Sequence, residues 1–512
     1  MNTANRVAFN TVVQYVQLVL NVLIGLVSVR LILLALGDSD YGIYNVVGGV
    51  TGMLAFLSSS FAQTSMRYIS VSIGQKVESG IRDTFRRCFW LHFMIALLIA
   101  FVFEVLSLFL FDGFLNIPDD RLRTAEIIYH AMVFSVFLRI VDTPFKALIN
   151  SHEKFWFTSF IGIVDAVCKL LIALVITYWF SDKLLVYGLL MAMITVINFL
   201  SYLIYCLIYY PQYLSFGRTT FDEVRSMTGF AGWTLLDALA SILNRQGYAV
   251  MINKFFGPVM NTTYGLARQV DEHLYHLSSS VTVSMKPQIM KSKGAGDQDR
   301  MFRLSLTAGK FGFSMMAFVT IPLFVMMQDA LTLWLKEVPD GTALFARLLV
   351  AACMIEQLTR GLVYANQAVG NIKWFSIIVS LVRMLALPVS VGFLLAGAPA
   401  YMAIVIYLVF ELLASGCRVV VLSRISDFKA MSFVKEVFLM ILPPFFIALG
   451  FSYLFYSYSR SIPALLINAA LSATLYGALM YGFGLTQVEK TAVRNLALSL
   501  LGRFVPRFKV NR

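Results

Sequence analysis

Charge is scarce in this sequence: Asp, Glu, Lys and Arg make up only 13% of its 512 residues. A soluble chain of that length carries about 25%. With 59% hydrophobic residues and a mean hydropathy of +0.77, lipid must be part of its solvent. Cysteine is sparse too. Cys88, Cys168, Cys206, Cys353 and Cys417 all lie in or at the edge of apolar runs without C-x-x-C spacing, which argues against a metal site or a disulfide framework. No polar stretch is long enough to be a soluble domain; the longest are the connection around 286–303 and the basic segment after Gln487. A large external loop and an acidic metal-binding motif, one of which a membrane glycosyltransferase, polymerase or ligase would need, are also missing. The function must therefore lie within the helices. Lys and Arg exceed Asp and Glu by 41 to 28, but they are spread among short connections rather than gathered on one face, so nucleic acid is not the expected partner.

Long apolar runs are what the sequence does have. A membrane helix needs roughly 20 mostly apolar residues, and fourteen runs qualify, at about 8–36, 42–72, 88–111, 124–148, 156–180, 184–210, 227–252, 262–285, 304–327, 343–369, 375–395, 401–422, 436–456 and 463–485. The first is far longer than a signal-peptide core and reads as a retained span. The eighth is the least apolar. With the N-terminus inside, the cytoplasmic connections hold 23 Lys and Arg against six on the other side, and cationic loops are retained in the cytoplasm.

A shift of 220 residues superposes Gly37 on Gly257, Tyr44 on Tyr264, Val50 on Val270, Leu57-Ser58-Ser59-Ser60 on Leu277-Ser278-Ser279-Ser280, Ser72 on Ser292 and Gly74 on Gly294, without a gap. Six spans separate the matched elements, so the halves have the same orientation, and parallel repeats of this kind are a transporter architecture. The fold expected is an all-α polytopic membrane protein: a six-helix lobe over 1–210, a cytoplasmic linker over 211–226, a second six-helix lobe over 227–422, two further helices over 423–485 and a basic cytoplasmic tail over 486–512.

Ionisable residues inside spans cost a few kcal/mol each, so they face a cavity or a partner. Lys146, Lys310, Arg347, Arg418 and Arg67 lie within about two turns of a helix end, where a long side chain can snorkel. Deeper lie Arg139, Lys169, Arg245, Arg268, Arg360 and Arg383, with Arg30 near the outer end of the first span. Residues three or four apart share a helix face, which pairs Arg139 with Asp142, Lys169 with Asp165, Arg268 with Asp271 and Glu272, and Arg360 with Glu356. Arg30, Arg245 and Arg383 have no such neighbour, leaving an anionic ligand or a distant carboxylate. In the eighth span Arg268, Asp271, Glu272 and His276 form one polar stripe, with His273 beside it, expected to line a water-filled cavity. Histidines and carboxylates there can relay protons; the same donors resemble a metal site, though nothing else has ligand spacing. Asp237, Glu104 and Glu411 are further acids within spans, open to an ion-binding or a pairing role.

The stretches RLILLALGDSDYGIYNVVGGV, FLSSSFAQTSMRYIS, TPFKALINSHEKFWFTSFIGIVDAVCKLL, LTLWLKEVPDGTALFARLL and YANQAVGNIKWF together resemble the Wzx-type O-antigen flippases. These belong to the polysaccharide transport group of the multidrug/oligosaccharidyl-lipid/polysaccharide (MOP) exporter superfamily. The resemblance spans most of the chain. It implies two MATE-like lobes around a cationic cavity in a bacterial inner membrane. The activity implied is transfer of an undecaprenyl-pyrophosphate-linked oligosaccharide from the cytoplasmic to the periplasmic leaflet, often with H+ or Na+ coupling, by a carrier and not an enzyme. Membrane lipid and the polysaccharide polymerase machinery are the further partners implied. Arg30, Arg245, Arg268, Arg383, Arg139 and Arg360 would then meet the diphosphate, Asp237, Asp271, Glu272, His273 and His276 would couple the ion, and Trp233, Tyr248, Tyr264 and Tyr275 could stack on sugars. The competing readings are a cation-coupled multidrug antiporter of the same superfamily, a membrane enzyme of polysaccharide assembly, and a scaffold.

Overall fold

In hydrocarbon every backbone amide must be satisfied within its own segment or within a closed barrel, and this chain uses helices alone, with no strand among the described residues. The structure, a computed structural model, describes residues 3–52, 55–114, 117–179, 182–217, 219–458, 461–491 and 493–494. In chain order the helices are α1 (Thr3–Gly52), α2 (Ala55–Gln75), α3 (Glu78–Phe109), α4 (Asp119–Val141), α5 (Thr143–Ser151), α6 (Phe155–Trp179), α7 (Lys183–Tyr209) and α8 (Phe221–Gly294). They continue with α9 (Gln298–Val325), α10 (Met327–Leu335), α11 (Thr342–Val369), α12 (Lys373–Leu395), α13 (Ala400–Ile425), α14 (Ala430–Phe433), α15 (Leu439–Tyr458) and α16 (Ile462–Leu479).

Among the described residues, ten helical segments are long and apolar enough to cross a membrane, which makes this a multi-pass membrane protein. The remaining four predicted runs, the first, second, seventh and eighth, fall on α1, α2 and α8. At 1.5 Å per residue α1 and α8 would run about 75 Å and about 110 Å, far more than a bilayer. Each is broken by one glycine, Gly37 with φ 74° and ψ 173° in α1, Gly257 with φ 80° and ψ −177° in α8. That backbone region is essentially closed to residues with a Cβ. The two glycines are 220 positions apart, so the internal repeat seen in the sequence is also a repeat of backbone geometry.

The chain forms two compact units. The first comprises Val12–Ala238 with Met290–Gly296, and the second comprises Met1–Thr11, Leu239–Ile289 and Asp297–Arg512. The units meet within α8, between Ala238 and Leu239. In the first unit α3, α4 and α7 enclose Phe103, Ile128, Tyr129 and Leu184, and the Tyr129 hydroxyl donates to the Phe103 carbonyl at 2.7 Å. Asp182 caps α7 by accepting the Leu185 N–H, and Arg121 on α4 ties it to Asp40 on α1. In the second unit, Ile252, Leu349 and Ile404 from α8, α11 and α13 share a core. There α15 and α16 join α9 through Asn468 to the Ser452 carbonyl and Tyr476 to Ser314.

Candidate functional site

A guanidinium among apolar helices needs a carboxylate, and three helices of the second unit supply both kinds of group. On α13, Glu411 and Arg418 stand seven residues apart, two turns along one face, and Arg418 donates to Glu411 Oε1 at 3.0 Å. The other Glu411 oxygen accepts from Arg383 Nε on α12 at 2.9 Å. Arg383 also reaches Glu356 on α11 at 3.2 Å, and Arg360, one turn along α11, closes the chain onto Glu356 Oε1 at 2.8 Å. Arg418 makes further bonds to Thr359 and Ser415, at 2.9 and 3.3 Å. Asn244 of α8 donates to the Arg383 carbonyl, fixing that helix against α12. Arg418 and Glu411 are each only 1% exposed, so this end of the network is sealed inside protein, while Arg360 at the other end is partly open. Among the described residues, these three guanidinia are held by the carboxylates Glu356 and Glu411.

Beside it, Arg268 and Asp271 of α8 pair at 2.9 Å, the acid buried and the guanidinium partly covered, and Arg268 lies 5.9 Å from the Tyr407 ring centre. Among the described residues the Oδ1 atom of Asp271 accepts no close hydrogen bond, and the Cys353 thiol lies beside the carboxylate. Arg360 donates to the Tyr275 hydroxyl at 3.1 Å.

The local pairs expected at Lys169 with Asp165, Arg268 with Asp271 and Arg360 with Glu356 are all present. Arg139 is different. Asp142 sits at the α4–α5 junction and binds Lys146, one turn onward, at 2.7 Å, while Arg139 is exposed. Arg245 and Arg383 find distant carboxylates, Arg245 reaching Glu272 at 2.8 Å. The Arg30 side chain lies outside the described residues. Along the polar stripe of α8, Asp271 is buried, Arg268 and Glu272 are partly covered, and His273 and His276 are exposed. Asp237 and Arg139 belong to the first unit, apart from the network in the second. Tyr248 and Tyr264 are packed into the core, with Tyr248 held by Ser390, so sugar stacking is not open to them as they stand.

Two cations expected to snorkel are buried instead. Arg418 is part of the network, and Lys310, 2% exposed, binds Glu489 at 2.8 Å. The signal for Arg418 is present in the sequence as the Glu411–Ser415–Arg418 spacing on one helix face. Lys310 has no such signal, because its partner lies 179 positions away.

Residues 15–179 match the MatE family. No curated protein matches the chain. Among solved structures, a MATE protein in the straight conformation superposes with a TM-score of 0.69 at 10% identity, covering 84% of this chain and 98% of that one. An outward-facing multidrug resistance MATE family transporter of the MOP superfamily gives 0.63 at 10% identity, over 83% and 97%. A MOP superfamily transporter from Pyrococcus furiosus, described as having a binding pocket of reverse polarity, gives 0.64 at 12%, again over 83% and 97%. Likeness at such identities is likeness of fold: the chain has the all-helical MATE-like architecture, and its residues 15–179 carry the MatE match.

Proposed function

We propose that this protein is an exporter that moves an undecaprenyl-pyrophosphate-linked oligosaccharide, an O-antigen or capsule repeat unit, from the cytoplasmic to the periplasmic leaflet of a bacterial inner membrane by alternating access. Both termini are cytoplasmic in this reading, and the chain is a carrier, not an enzyme. The observation that carries it is the gathering of three guanidinia, Arg360, Arg383 and Arg418, on α11, α12 and α13 within one network. A diphosphate cannot cross hydrocarbon unaided, and planar guanidinium donors match its oxygens in pairs.

The roles divide by coverage. Arg383 and Arg418 are occupied in holding Glu411, so they position the network. Arg360 and Arg245 are the more accessible guanidinia and take the headgroup, with Arg268 on the same helix as Arg245; Arg30 and Arg139 are the headgroup candidates of the first unit. Asp271, a carboxylate buried on α8, is the foremost site for a coupling H+ or Na+, ahead of Asp237, Glu272, His273 and His276. Membrane lipid holds the prenyl tail, and the polymerase machinery receives the product.

The second reading, a cation-coupled multidrug antiporter, draws support from the same Asp271 and from the multidrug transporter among the fold relatives. Arg360→Ala and Arg245→Ala separate the two. Lost surface polysaccharide at unchanged protein abundance, partly rescued by Arg→Lys, supports the saccharide exporter. Unchanged polysaccharide with new sensitivity to cationic drugs supports the antiporter.

A further inference from the structure

The stretch TPFKALINSHEKFWF has no part in the ion network, yet its turn between α5 and α6 holds an unusual residue. Glu153 has a left-handed backbone, φ 62°, which costs a residue with a Cβ about 1 kcal/mol or more. In the corresponding turn of the second half, between α11 and α12, the left-handed position is filled by Gly370, φ 93°. A glycine at 153 would relieve the strain, so the carboxylate is what glutamate adds there. That side chain is 1% exposed and accepts a hydrogen bond from Lys291 Nζ at 2.5 Å.

Lys291 lies in the last turn of α8, where the backbones of α2 and α8 touch. A methyl group on Gly74 would overlap the Lys291 carbonyl, and one on Gly294 would overlap the Val71 carbonyl. Gly74 and Gly294 are themselves a pair of the 220-residue repeat. Ser70 donates to Ser151, joining α2 to α5, and His152 stacks on Tyr210 and Tyr213 with ring centres 4.4 and 5.6 Å away, seating the turn against the end of α7. All of these residues belong to the first unit, whereas Leu239–Ile289, just before them on the same helix, belongs to the second.

We propose that the Glu153–Lys291 ion pair is a releasable latch that holds the last turn of α8 in the first unit, closed in this conformation and open in the opposite state of the transport cycle. The proposal rests on the alternating-access reading given above. An ion pair with its carboxylate buried can both hold and release, because removing water strengthens the attraction and admitting water replaces it at little cost. The Gly74–Gly294 crossing brings the backbones close enough for Lys291 to reach Glu153, and the left-handed turn at Glu153 aims the carboxylate.

Ser292, fully buried beside the latch, is the reporter. In a variant with the five native cysteines replaced by alanine, Ser292→Cys is labelled in inverted vesicles by a membrane-impermeant thiol reagent. Adding Glu153→Gln should raise the labelling rate about tenfold, the shift that about 1.4 kcal/mol of lost closed-state stabilisation produces. The exchange Glu153→Lys with Lys291→Glu should bring it back towards the parent rate. Where Glu153→Gln lowers protein abundance, Lys291→Gln carries the same test. Unchanged labelling in an abundant single variant, or failure of the exchange to restore protection, would overturn the latch. The labelling needs no cargo, so its failure leaves the saccharide reading standing, and failure of that reading leaves a positive labelling result standing.

Discussion

Arg383 Nε and Glu411 Oε2 lie 2.9 Å apart, joining neighbouring helices, and the second oxygen of the same carboxylate is held by Arg418. Glu411 thus holds two buried guanidinia, of which Arg383 also reaches Glu356. Taking away one partner of a buried pair leaves an uncompensated charge in a low dielectric, at a cost of about 3–5 kcal/mol.

Glu411→Ala should therefore lower the thermal midpoint of the detergent-solubilised protein sharply, followed by tryptophan fluorescence. Arg418→Met should cost less, since Glu411 keeps Arg383. Equal melting of Glu411→Ala and the parent protein would contradict a structural role for the network.

The kinks make a backbone prediction. Gly257→Ala and Gly37→Ala force a Cβ into a region that side chains avoid, for about 1–3 kcal/mol each. Gly265, in α8 with open space around it, is the control: Gly265→Ala should be neutral or stabilising by up to about 1 kcal/mol. Thermal melts of the three variants check this, and loss at Gly265 equal to that at Gly257 would contradict it.

His152, in the turn after α5, has its pKa lowered from the ordinary 6.5, chiefly by burial; a bond to the Leu148 carbonyl pulls the other way, and nearby Lys291 adds to the lowering. The unfolded chain binds the proton first, so stability is fully present above about pH 6.5 and falls as pH drops below that value. The melting temperature should be lower at about pH 5.5 than at about pH 7.5, with a smaller difference in His152→Phe, which keeps the stacking surface. An unaltered difference in that variant would exclude His152 as its source.

What is legible in the sequence follows from the range of the forces involved. Membrane helices are written in runs of apolar residues, and pairs such as Arg268–Asp271 follow from helix geometry alone. Arg245–Glu272 and Arg383–Glu411 span 27 and 28 positions, and they depend on which helix faces meet, which no local spacing states. Asp142 has a cation on either side, Arg139 and Lys146, and the break between α4 and α5 decides for Lys146. Distance to a helix end makes Lys310 and Arg418 look interfacial, but the partner of Lys310 comes from a segment 179 positions away and that of Arg418 from two turns back on its own helix. The 220-residue repeat is legible because glycine's conformational role cannot be taken by another residue.

The most direct test of the proposed export is to delete the gene in its host and determine on which leaflet the undecaprenyl-linked oligosaccharide accumulates. Accumulation on the cytoplasmic face, with loss of surface polysaccharide, is the expected result. Unchanged lipid-linked saccharide on both leaflets, with surface polysaccharide intact, would contradict it.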